Sequence, residues 1–151
     1  MRQLWNWFQS ALELVLHHPV TGTSIIPLLP DGRIVLIRRR DTGRWALPGG
    51  MVNWREDVET TVRRELVEET GLEVTQIKRL VGVYSAPDRD PRFHSICIVV
   101  EVEAQGSFHI EDTLEISDVK AFHPTEIPFG SLSHDHDQQM KDYLSGTTVL
   151  A

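Results

Sequence analysis

Glu65, Glu68 and Glu69 lie three and four positions apart in Arg64-Glu65-Leu66-Val67-Glu68-Glu69, a spacing that puts all three on one face of a helix. Three carboxylates this close repel one another, and a bare ExxEE run ordinarily makes no more than a solvated acidic face. The flanking residues give this run a second use. Hard divalent cations such as Mg²⁺ take oxygen ligands and neutralise such a cluster. The pair Gly49-Gly50 lets backbone approach an ion or a phosphate closely and turns the chain into the helix. Arg64 orients carboxylates through its rigid fork of donors. Val58, Val62 and Leu66 recur every four residues on the adjoining stripe and anchor the helix to a core. One buried stripe beside one carboxylate-lined edge makes a rigid platform for metal ions.

Gly50, Glu56 after five residues, and then Arg64-Glu65-Leu66-Val67-Glu68-Glu69-Thr70-Gly71-Leu72 after seven more match the Nudix box at every specified position, so the chain is identified as resembling the Nudix hydrolases. The resemblance implies an α/β/α sandwich around a mixed central sheet. It also implies hydrolysis of nucleoside diphosphates linked to another moiety, with Mg²⁺ or Mn²⁺. Carried over residue by residue, Glu68 and Glu69 are metal ligands joined by the Gly50 carbonyl. Glu65 is a ligand or the base that deprotonates water, and Arg64 completes the catalytic group. A further carboxylate is expected from a loop before the final strand: Glu115, with Glu111 and Asp112 as rivals. Two departures fall on the loop. Asn53 and Arg55 stand where family members commonly carry Glu and Gly, which makes the segment around Trp54 bulkier and more basic.

The substrate side rests on shorter matches. Pro87, within Tyr84-Ser85-Ala86-Pro87-Asp88-Arg89-Asp90-Pro91-Arg92, resembles the ADP-ribose pyrophosphatase branch, as does Asp135-His136 at the last helix. As a turn residue between strands Pro87 has an equally ordinary explanation. Arg40, Arg44, Arg89 and Arg92 have the fork geometry for phosphate, and Trp45 has the ring to stack on a base or to fill a core. His134-Asp135-His136-Asp137 is read as a helix start with surface histidines, not as a transition-metal site. The leading expectation is cleavage of ADP-ribose to AMP and ribose 5-phosphate. Its alternatives are removal of oxidised nucleoside triphosphates of the 8-oxo-dGTP type, and a nucleotide sensor without catalysis. Sensors typically lose box glutamates, and here all are present.

The elements that must position these groups follow from hydrophobic patterning. Runs at 24–29 and 33–38 flank Pro30-Asp31-Gly32 as a hairpin. A helix is expected from Asp57 to Thr70, stopped by Gly71. Strands follow at 73–84, 94–103 and 119–122, and a last helix over 133–144. Leu4, Phe8, Leu12 and Leu16 recur every four residues, which reads as an amphipathic helix over residues 1–18. It is expected to pack over the sheet edge or across a homodimer, as part of one unit with a hydrolase domain over 19–151. A chain of 151 residues fits one domain. Its 15 Lys+Arg against 22 Asp+Glu argue against gripping a nucleic-acid polymer. No apolar run reaches the length of a membrane span. The single cysteine, Cys97, lies in an apolar run and points to a reducing cytoplasm.

Overall fold

The computed structural model describes residues 17–151 together with Trp7, Phe8 and Ser10. The expected helix over residues 1–18 otherwise lies outside the described residues. Among the described residues seven strands form one mixed sheet: β1 (Val20–Leu28), β2 (Ile34–Arg39), β3 (Trp45–Ala46), β4 (Glu73–Tyr84), β5 (Ser95–Gln105), β6 (Ile116–Phe122) and β7 (Val149–Leu150). Helix α1 (Val58–Thr70) falls between β3 and β4, and α2 (His136–Ser145) between β6 and β7. The order runs β3-β2-β1-β5-β4-β7, with β6 also pairing with β2. The expected hairpin is there, but β1 meets β2 only at Leu28↔Ile34. Its main partner is β5, parallel from Val20↔Ser95 to Leu28↔Glu103.

Neighbouring residues along the central strands point to opposite faces, and both faces are apolar, as a sheet covered on both sides requires. Ile25, Val35, Val100 and Val102 pack with Val62 and Leu66 of α1. Ile26, Ile34, Leu36 and Val99 pack with Met140 of α2. The result is the α/β/α sandwich expected from the sequence. Helix α1 begins where Asp57 Oδ1 accepts from Thr60 N–H at 2.7 Å. It ends at Gly71, whose φ of 78° puts it in the left-handed region that glycine enters without strain. Helix α2 starts later than expected. Asp135 stands at its N-cap without a side-chain cap bond, because its carboxylate accepts from Arg89 and Gln139 instead.

Candidate active site

The carboxylates of α1 are held by one arginine and one loop. Arg64 donates to both oxygens of Glu56 at 2.8 and 2.9 Å, to Glu65 Oε1 at 2.7 Å and to Glu68 Oε2 at 3.2 Å. Glu56 also accepts from Thr61 Oγ1 and Asn53 N–H, and these donors, Arg64 foremost, lower its pKa to about 2. Glu69 is 4% exposed and accepts from Gly49 N–H at 2.8 Å. Burial, reinforced by the charges of Glu65, Asp112 and Glu115, pushes its pKa well up. Burial also raises Glu65, against the pull of Arg64. At Gly50 a β-carbon would overlap the Glu65 carboxylate, so the lack of a side chain lets this turn pack against α1. The Gly50 carbonyl itself accepts from Thr23 N–H at 2.8 Å and from Thr23 Oγ1 at 3.3 Å.

A second segment completes the acidic wall. The loop after β5 docks on the C-terminal carbonyls of α1, with His109 N–H donating to Thr70 O and the amides of Glu111 and Asp112 to Glu68 O. These bonds satisfy carbonyls that a helix end leaves unpaired, and they bring Asp112 and Glu115 into one cleft of about 610 Å³ with Glu65 and Glu68. Arg39, Arg92, Met51 and Phe93 line the same cleft and also a smaller inner cavity of about 120 Å³ that reaches Glu69 and His136. Among the described residues no three acidic, histidine or cysteine side chains converge tightly enough to hold an ion as they stand. Arg64 bonds both Glu65 and Glu68, and Glu69 is turned to Gly49. The donor set nonetheless fits a hard divalent cation: all oxygen, several carboxylates on rotatable side chains, and a wide cleft for retained water.

A family model for the NUDIX domain matches residues 18–144. The chain belongs to the Nudix hydrolase family. The ADP-ribose pyrophosphatase of Methanocaldococcus jannaschii is 40% identical over 134 residues, 87% of this chain and 76% of its own. A Bacillus subtilis protein provisionally named as an 8-oxo-dGTP diphosphatase is 28% identical over 125 residues, 83% of this chain and 80% of its own. Among solved structures, the NUDIX domain of Shewanella oneidensis NrtR complexed with ADP ribose matches with a TM-score of 0.76 at 22% identity, covering 85% of this chain and 88% of that one. The last likeness is one of fold. The protein is thus a Nudix pyrophosphohydrolase, from a family that acts on small nucleotide substrates and generally needs divalent metal ions.

In this Nudix hydrolase the residues expected from the sequence separate into two groups. Glu65, Glu68, Glu69, Gly50, Arg92 and Glu115 all line the cleft or the inner cavity, as does Asp112, whereas Glu111 lines neither. Arg89 reaches the inner cavity, but its guanidinium is committed to both oxygens of Asp135, at 3.0 Å each, and to Ser95 Oγ. Arg44 and Pro87 line neither space, and Trp45 sits edge-on to Phe122, 5.1 Å between centroids, against the core. Arg40 turns its Nε to the Thr113 carbonyl. The reading of His136 as a surface histidine is corrected: it is buried, and its Nδ1 accepts from Leu47 N–H at 3.0 Å. Arg39 escapes the sequence reading. It is the middle arginine of Arg38-Arg39-Arg40, at the end of β2, and it lines the cleft while donating to both oxygens of Asp41 at 2.9 and 2.7 Å. No helix among the described residues is long and apolar enough to cross a membrane.

Proposed function

We propose that the protein hydrolyses ADP-ribose to AMP and ribose 5-phosphate, using Mg²⁺ or, in its place, Mn²⁺. The arrangement of Glu65, Glu68, Asp112 and Glu115 around one cleft with Arg39 and Arg92 carries the hydrolytic reading. The 40% identity to the M. jannaschii pyrophosphatase supports ADP-ribose as the substrate. The chemistry that a divalent cation would supply there is neutralisation of the diphosphate and acidification of a water. Glu68, Glu69 and the Gly50 carbonyl would supply ligand oxygens, with Glu115 as the candidate for one more, and Glu65 would be a further ligand or the base that takes the water's proton. Arg64 holds Glu65 and Glu68 in register through its contacts with both. The water oxygen bonds to one phosphorus, the bridging P–O bond breaks, and the departing phosphate leaves as an anion that the cleft arginines help to stabilise.

The decisive comparison is kcat/KM for ADP-ribose, 8-oxo-dGTP, diadenosine polyphosphates and NADH at fixed Mg²⁺. ADP-ribose is expected first by about tenfold or more. A preference for 8-oxo-dGTP replaces this reading with the one that the Bacillus relative's name suggests, and binding without turnover of any of them replaces it with a sensor. The buried, unpaired Cys97 supports a cytoplasmic setting. A homodimer formed through residues 1–18 belongs to the same proposal: removing residues 1–16 should change the mass in solution or lower solubility, and an unchanged mass and melting temperature reject it.

A further inference from the structure

We infer that Phe93 is the platform on which the substrate's nucleobase stacks, an inference that rests on the hydrolase reading above. Phe93 is 42% exposed, although it is an aromatic residue beside an acidic cleft. It lines both the outer cleft and the inner cavity, and of the side chains shared by the two only it and Met51 are apolar. Leu114, also exposed, adds to the outer wall. The remaining side chains of that cleft are mostly carboxylates, arginines and Asn53, which suit phosphates, ions and water. The apolar set suits a flat ring.

Phe93 is backed and fixed. The Arg92 guanidinium carbon lies 5.0 Å from its ring centroid, a cation on a π face. Arg92 is itself anchored, because Asp90 accepts from its Nε at 3.0 Å and its Nη2 at 2.8 Å, and Asp90 is buried. A ring held this way loses little freedom when a base stacks on it, which favours affinity. Trp45, the other aromatic candidate, is committed to the core against Phe122.

The test compares inhibition by the two expected products, AMP and ribose 5-phosphate, in wild type, Phe93→Ala and Phe93→Tyr, using whichever nucleotide the enzyme turns over fastest. Base–aromatic stacking predicts that Phe93→Ala raises the AMP inhibition constant about tenfold. The constant for ribose 5-phosphate should stay within about twofold, and Phe93→Tyr should restore AMP affinity. An unchanged AMP constant in Phe93→Ala, equal losses for both products, or no inhibition of wild type by AMP overturns the assignment. Failure to cleave ADP-ribose while AMP still depends on Phe93 overturns the substrate and leaves the platform standing.

Discussion

The departure at position 55 has a cost that can be measured at a single residue. Arg55 has φ of 65°, in the left-handed region where a side chain with a β-carbon is disfavoured by about 1–2 kcal/mol. Family members commonly carry Gly at this position, which fits the conformation. Arg55→Gly should therefore stabilise the fold, by about 0.5–1 kcal/mol once the greater freedom of an unfolded glycine is subtracted. A rise in melting temperature of about 2 °C is the expected reading for a domain of this size, and a fall would show that Arg55 makes compensating contacts. Most of the site is legible in the sequence at this scale. The glutamates, Arg64 and Gly50 form a local pattern on one helix and one turn, and such patterns survive folding unchanged. Arg39 and Phe93 are not legible there, because only tertiary packing brings the end of β2 and the loop before β5 beside the α1 carboxylates.

At the scale of elements, α1 is legible to within a residue because its cap, stripe and stop are all local. The parallel pairing of β1 with β5 is not, since strand partners far apart in sequence leave no mark on either strand. The two-residue strands β3 and β7 are too short to show a period. The loop carrying Asp112 and Glu115 depends on the end of α1, and Gly71 is where the two meet. A β-carbon there would come within 2.5 Å of His109 N, and its φ of 78° already disfavours any other residue. Gly71→Ala should cost about 2 kcal/mol. Because the strain pushes on the loop, turnover at a temperature where the variant remains folded should also fall, by about ten- to a hundredfold. A stability loss with undiminished turnover would separate the loop from the chemistry.

Over the whole molecule, buried ionisable groups pull stability in opposite directions with pH. Burial lowers the pKa of His136 to about 3 from an ordinary 6.5. The unfolded chain therefore takes up a proton that the folded one refuses, and stability is lost as pH falls from 6.5. Glu69 is raised well above its ordinary 4.5, so the folded chain takes a proton first and its contribution grows as pH falls toward that value. Comparing variants separates the two. His136→Asn keeps an acceptor for Leu47 N–H but does not titrate. Relative to wild type it should gain about 1.5 kcal/mol between about pH 6.5 and about pH 5, read from denaturant midpoints. A difference that does not change with pH would contradict a neutral, buried His136.

Catalysis by divalent cations held on the α1 carboxylates is the claim on which the rest depends. Turnover of ADP-ribose measured against added Mg²⁺, for EDTA-treated wild type and Glu69→Gln side by side, tests it most directly. The substitution retains a side-chain oxygen for Gly49 N–H and removes a buried charge, so the variant should melt at or above the wild-type temperature. Wild type should be silent in EDTA and recover as Mg²⁺ is restored, while Glu69→Gln stays lower by about a hundredfold or more at every concentration. Full turnover by the folded variant, or by wild type in excess EDTA, would contradict the account.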